Sequence, residues 1–295
     1  MDRIILYCNN LIILVLHSLK LIISKKIISG KDIERSYDLV SSSYNNLFFE
    51  PMKRHTHRIL HELYADNSSS IVDVGCGTGA GIKYFKEKYP NCSIIGIDKS
   101  EAMIAQANKL IESNKFTKSN LILGDALEVI KKLPSESFDV ITFLWSMEYI
   151  NFSRTAKEVY RLLKKGGTLA IITNRKDTLP EVRAIIWGMI FTHPKKLQKI
   201  MFNLPLFKNS SDLARALRKL KFKIGKSWDS QQVFKFDNPK EALQWIYSTG
   251  ALAGYDQMFS VRDHTFLDFA EKNLRIFHDD KIQITHSFAF IIAIK

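Results

Sequence analysis

The chain has 295 residues, 46% hydrophobic and 25% charged, the balance of a folded protein with a sizeable core rather than of a fibre or a disordered chain. Its 43 Lys and Arg against 30 Asp and Glu leave a net charge of +13. That surplus calls for an anionic partner without naming it: nucleic acid, a membrane surface, an acidic protein or a phosphorylated substrate. Cys8, Cys76 and Cys92 offer neither a disulfide framework nor a paired metal spacing, which excludes a stapled secreted scaffold and favours a reducing, cytoplasmic setting with no metal.

Residues 4–23 are the most apolar stretch, with Leu11–Leu16 at its centre and Asn9, Asn10, His17 and Lys20 around it. A spanning helix needs about 20 mostly apolar residues, a length reached here only by including those polar groups. A secretory signal wants a basic start and a small-residue cleavage site; Asp2 offsets Arg3 and no such site follows. Residues 1–30 are therefore expected as a helix that lies on a membrane surface or packs on the domain or on another subunit. A start placed too early is the plainer alternative; the next methionine, Met52, would delete Tyr37 to Tyr44.

Helical spacing resumes at residue 32, pauses at Ser41-Ser42-Ser43 and returns over 51–64. Residues 31–69 are thus expected as helices leading into the main domain, 70–295. From there short apolar runs alternate with helical ones. Strands are expected at 71–74, 93–97, 120–123, 138–143 and 168–173. Helices are expected between them at 79–89, 101–113, 126–133 and 153–163. That rhythm predicts an α/β fold, a parallel sheet wound on both faces. Beyond Thr173 the spacing predicts a long apolar, basic helix over 179–207 and a helix over 213–220. A strand with a bend is expected over 222–236, helices over 239–248 and 265–277, and a terminal strand over 282–294.

The decisive segment is Ile71-Val-Asp73-Val-Gly75-Cys76-Gly77-Thr78-Gly79. An apolar strand delivers a glycine turn that opens a helix, and the glycines let a ligand lie against main chain. A glycine turn alone also fits a dinucleotide. However, Asp73 stands before the first glycine, where it would attract an ammonium and repel a pyrophosphate. Asp98 closes the next strand, placed to accept bonds from both ribose hydroxyls. Gly124-Asp125-Ala126 closes the third and suits an adenine edge. An amino-acid head, a ribose and an adenine without phosphates together make S-adenosylmethionine.

With these motifs the sequence resembles the class I S-adenosylmethionine-dependent methyltransferases, within the group of ubiquinone/menaquinone C-methyltransferases and malonyl-carrier-protein O-methyltransferases. Residues 138–150 resemble that family's fourth strand and following loop, and Leu162–Leu169 its turn before the fifth strand. The resemblance implies a Rossmann-like sheet of seven strands, mostly parallel with an antiparallel last strand. N-terminal helices precede it, and a helical cap over 175–222 follows strand 5. It assigns Asp73, Gly75, Cys76, Gly77 and Gly79 to the methionine part of the donor and Asp98 to the ribose. Asp125 and Ala126 go to the adenine, Lys99 and Met103 to its flanks, and Leu144 to the fourth strand's end. Tyr37–Asn45 resembles the lid that closes over the donor. One departure stands out: Glu148-Tyr149 replaces the family's frequent Glu-His.

The expected reaction moves a methyl group to a small hydrophobic acceptor, with lipid, isoprenoid or quinone precursor as the leading class and a carrier-bound acyl carboxylate as the alternative. RNA or protein methylation and a catalytically silent binding role come after these. An ionised acceptor needs no base, whereas a phenol or enolisable carbon does. The candidate groups are Tyr44, Glu148, His55 and His57, with packing or loop-ordering roles as the plainer reading of each. Between Arg175 and Lys226 lie 13 Lys or Arg against three acids, interleaved with Trp187, Met189, Phe191 and Phe202. An anionic membrane surface or an acidic carrier therefore fits better than nucleic acid, which also lacks its tetrad after the fourth strand. Oligomerisation through the N-terminal helix is a further expectation.

Overall fold

The computed structural model describes residues 2–202, 204, 206–261, 263–276 and 281–295, without the side chains of residues 2–8, 275 and 276. The chain forms two compact units built from interleaved stretches. Met1–Val40, Leu179–Asn203 and Gln232–His286 make the first; Ser41–Thr178, Leu204–Gln231 and Ser287–Lys295 make the second. The boundary at residue 40 falls within the expected 31–69 segment. The expected cap over 175–222 gives residues 179–203 to one unit and 204–222 to the other. No change of composition marks either division.

The alternating stretch forms β1 (Ser70–Val74), β2 (Ser93–Asp98), β3 (Ser119–Leu123), β4 (Phe138–Leu144) and β5 (Leu163–Asn174). Later come β6 (Lys223–Phe236) and β7 (Ile282–Ile294). The sheet order is β3-β2-β1-β4-β5-β7-β6. Strands β1 to β5 pair in parallel, while β7 lies antiparallel to β5. Strands β1 and β4 and the second half of β5 are apolar, buried runs, which suits central strands covered on both faces. Strand order reverses between β1 and β4, which opens a crevice at their carboxyl ends. Val72, Val74, Ile141, Phe143 and Leu169 are fully buried on the sheet's core side.

The helices of the second unit begin with α3 (Glu50–His61), entered through a wider turn over Asn45–Phe49. Then follow α4 (Ala80–Lys88), α5 (Glu101–Ser113), α6 (Ala126–Ile130), α7 (Phe152–Leu162) and α9 (Ser210–Lys219). Most have a side-chain N-cap: Ser100, Asp125, Asn151 and Asn209 each accept a bond from a first-turn N–H.

The first unit gathers α1 (Asp2–Ile23), α2 (Gly30–Val40), α8 (Pro180–Thr192), α10 (Pro239–Ser248) and α11 (His264–Ile276). Its core packs Leu21 with Ile185, Met189, Ile246, Phe259 and Ile284. Two expectations are corrected. The long helix over 179–207 stops at Thr192, because Pro194 supplies no N–H and disfavours helix in the residue before it; a short turn over Pro194–Lys196 follows. Residues 203 and 205 of that expected helix, and Phe277 of the expected 265–277 helix, lie outside the described residues. The bent strand over 222–236 runs as the single strand β6, whose half-exposed residues give it a broken apolar pattern.

Candidate functional site

The carboxyl ends of β1 to β5 converge on one group of turns. After β1, Gly75, Gly77 and Gly79 all take positive φ, +70°, +53° and +88°. Gly75 and Cys76 both donate their N–H to the Ile97 carbonyl, 2.7 and 3.0 Å away, folding the turn over the end of β2. A Cβ on Gly75 would come within 2.3 Å of the Ser146 Cβ, whereas one on Gly77 would meet nothing within 4 Å. The first glycine is needed for chain crossing, and the second leaves an open face of backbone. Gly75→Ala is expected to cost about 3 kcal/mol, from the left-handed backbone and the clash with Ser146. Calorimetry should show this as a Tm lower by about 6–10 °C; an unchanged Tm would mean that Ser146 gives way.

Asp98, at the end of β2, ties the turn together. Its Oδ2 accepts the Gly77 N–H at 2.8 Å and its Oδ1 the Ser100 N–H at 3.0 Å. Burial raises its pKa against those bonds. Asp73 is 1% exposed. Its Oδ1 accepts the Thr142 hydroxyl at 2.6 Å, the residue opposite it in the β1–β4 register. Burial pushes the Asp73 carboxyl up to about 7, and the neighbouring Asp98 adds to the rise. Gly81 packs directly on this carboxyl: a Cβ there would stand 2.4 Å from Oδ2 and 2.9 Å from Leu144. Two carboxylates on one glycine turn therefore repel each other, and among the described residues no cation forms an ion pair with Asp73. Such a cradle favours a cationic ligand and disfavours a phosphate.

The other expected donor contacts fall around this turn. Asp125 is exposed and caps α6, its Oδ1 accepting from Leu127 and Glu128; Ala126 is the first residue of that helix. Lys99 follows Asp98, and its backbone N–H bonds that carboxyl. Met103 is buried in α5. Cys76 is buried against Gly96, and burial pushes its thiol well up, so its role is packing rather than chemistry.

After β4 the chain turns sharply. Trp145 adopts φ +67°, a strained conformation for a bulky residue. It is held there by its N–H to the Ile172 carbonyl at 3.0 Å and its indole N–H to the Thr56 hydroxyl at 3.0 Å. Ser146 next to it donates its hydroxyl to the Val74 carbonyl at 2.5 Å. Trp145 also anchors an aromatic row: its ring lies 5.8 Å from Phe48 and 4.9 Å from Phe288, and Phe48 lies 5.1 Å from Tyr44. Thr78 donates its hydroxyl to Asn45, 2.5 Å away, so the segment over 44–49 meets the glycine turn.

Glu148 is buried, its carboxylate taking the Thr173 hydroxyl at 3.1 Å and the Asn174 amide at 2.7 Å. Burial outweighs these bonds and lifts it to about 7. Tyr44 is driven upward by burial and by the fields of Tyr149, Glu148 and Asp98, so its phenol stays protonated at neutral pH and serves as a hydroxyl, not a base. His55 is buried with its ring 4.8 Å from Phe288 and accepts the Arg54 side chain at 3.2 Å. His57 packs instead on Tyr84, 5.2 Å away. Tyr37, expected with the lid, belongs to the first unit and covers Gly250. Thr142, Ser146, Thr173 and Asn174 were not expected. Only strand register could have revealed Thr142, and the others depend on how β4 and β5 end.

A doubly wound sheet with a glycine turn after β1 and an acid closing β2 is common to dinucleotide-binding proteins and to class I S-adenosylmethionine-dependent methyltransferases; the family match and the relatives support the second class, whose methyl donor is S-adenosylmethionine. Residues 72–171 match the model of the family described as "Methyltransferase domain". The chain is 29% identical to demethylmenaquinone methyltransferase of Staphylococcus aureus over 193 residues, 59% of this chain and 76% of that protein. It is 25% identical to sterol 24-C-methyltransferase of Aspergillus fumigatus over 171 residues, 55% of this chain. The match takes in only 45% of that enzyme's length. Among solved structures, the [4+2]-cyclase SpnF shares the fold, with a TM-score of 0.58 and 18% identity over 91% of this chain and 97% of that one. Fold alone does not assign the reaction.

Proposed function

We propose that the chain methylates a small hydrophobic acceptor bearing an anionic group, of the lipid, isoprenoid or quinone-precursor class, with S-adenosylmethionine as donor. The observation that carries this reading is the pair of carboxylates, Asp73 and Asp98, set without a compensating cation at Asp73 beside an open glycine backbone. The match of residues 72–171 to the methyltransferase family supports the reaction type. The donor, when bound, supplies a methyl group already activated on positively charged sulfur. What remains for the protein is alignment in a dry site. The row Tyr44–Phe48–Trp145–Phe288 supplies apolar, water-excluding surface next to the glycine turn. The names of the sterol and demethylmenaquinone relatives support a lipid or quinone acceptor.

Glu148, buried in the turn after β4 and near enough to Tyr44 for its field to raise that phenol, is the carboxyl suited to hold an acceptor proton, its own pKa lifted to about 7. The test is transfer of labelled methyl from the donor into a lipid extract, with RNA and acyl-carrier fractions run beside it. Label should follow the organic phase; label in RNA or protein alone would overturn the acceptor class. With a protonated acceptor, kcat/KM should rise through about pH 7, and Glu148→Gln should flatten that limb. A rise preserved in the variant would remove Glu148 from proton transfer.

A further inference from the structure

Helix α1 is turned the opposite way from an ordinary surface helix. Two of its polar residues bond the first unit: the Asn10 amide donates to the Thr192 carbonyl at 3.2 Å, and the His17 Nε2 lies 2.7 Å from the Leu197 carbonyl. Leu21, on the same side, is 7% exposed. The outward side carries Leu11, Ile12, Val15, Leu16, Leu19 and Ile22, and Leu16 is 63% and Ile23 80% exposed. These positions recur every three or four residues and so form one face. Water meets an apolar stripe where a folded helix normally shows charge, and a patch of this kind marks an interaction surface.

Two neighbouring observations say what covers it. First, the apolar face is bordered by cations without acids. Lys20, Lys25, Lys26 and Lys31 are exposed, and residues 4–31 contain no Asp or Glu. Second, Leu14 and Ser18 of α1 line a cavity of about 210 Å³ together with Trp187 and Phe202, both exposed at its rim. Trp187 stacks on the half-exposed Phe191, their centroids 6.1 Å apart. Aromatic rings and lysines beside an aliphatic stripe are the composition of a helix lying in a lipid–water interface. Among the described residues no helix is long and apolar enough to cross a membrane, so an in-plane position is the one that remains for α1. A second copy of the chain would bring no anionic group to these lysines, since a two-fold contact sets the same acid-free patch against itself.

We infer that the outward face of α1 docks the protein on an anionic membrane surface, with Leu11 to Ile23 entering the acyl boundary and Lys20, Lys25 and Lys26 on the phosphate layer. The inference does not depend on the reaction proposed above. The test is flotation of the full chain with vesicles of phosphatidylcholine and phosphatidylglycerol in equal parts, against phosphatidylcholine alone. The protein should float with the anionic vesicles. Ile12→Asn with Leu16→Asn, at positions already exposed, should weaken binding about tenfold or more. Each lysine near the surface is expected to contribute about fivefold, so Lys20→Glu with Lys26→Glu should lower it further still. Raising salt to about 1 M, where the Debye length falls to about 3 Å, should release the wild type without any change of sequence. Failure of the wild type to float, or binding indifferent to both variant pairs, would overturn the inference. A concentration-dependent dimer in light scattering that the Asn pair dissolves, with no vesicle binding, would overturn it in favour of a second copy.

Discussion

Asp98→Ala is expected to weaken S-adenosylmethionine binding about 100-fold, near 3 kcal/mol, because one carboxylate fastens the glycine turn and, on the function proposed above, also holds the donor's ribose. Its two oxygens fix the Gly77 and Ser100 N–H groups at 2.8 and 3.0 Å. Without them the glycine turn loses its fastening, and a ribose loses its acceptor. Folding should suffer less than binding, since burial already raises the pKa of this carboxyl and its charged form is held at some cost. Titration calorimetry with the donor measures the first effect and a thermal melt the second. Donor affinity within about twofold of wild type would remove Asp98 from the site.

Asp73→Asn should move stability and affinity in opposite directions. The folded protein holds the Asp73 proton up to about pH 7, while the unfolded chain releases it near 3.8. Between those values unfolding releases a proton, so rising pH favours the unfolded chain. Below both values the contribution vanishes. Above about pH 8 the ionised, buried carboxyl costs the wild type up to about 4 kcal/mol, from the rise of its pKa. The amide avoids that cost but brings an NH2 into the tight space beside Gly81, so the net gain is expected nearer 2 kcal/mol. Denaturant midpoints for both proteins from about pH 5 to 8 should diverge as pH rises. Donor affinity of the wild type should climb across the same range as a negative charge forms to meet a cation, and Asp73→Asn should bind about tenfold more weakly with a flat profile. Parallel stability curves for the two proteins would show that Asp73 ionises normally.

The parts of the fold that obey a local rule were legible in the sequence. Strands β1 to β4 differ from their expected limits by a residue or so, because β1 to β3 are closed by glycine or aspartate and β4 by the sharp turn at Trp145; β5 begins five residues earlier than expected. The glycine turn and Asp98 were legible for a similar reason: chemistry fixed both the residue type and the spacing. Where the structure departs, a longer-range cause is at work. Apolar spacing continued past His193, but Pro194 ends α8 despite the apolar residues beyond it. Trp145 gives no sign of its φ of +67°, which depends on hydrogen bonds to Ile172 and Thr56 from distant parts of the chain. The apolar run of α1 was plain, yet a run does not say which side is turned outward. That required Asn10 and His17 to be seen binding the carbonyls of Thr192 and Leu197.

The interleaving of the first unit has a consequence for how the protein is made. Leu21 shares one core with Met189, Ile246 and Ile284, and Asn10 and His17 bond Thr192 and Leu197, so α1 is synthesised long before the helix it packs on. Native contacts of such sequence separation form slowly, and exposed apolar surface in the interval invites aggregation. A nascent chain therefore leaves this apolar helix uncovered until the segment around Thr192 and Leu197 has been made. Early capture of that helix, by a chaperone or by the lipid surface it is suited to meet, would shield it through synthesis as well as afterwards.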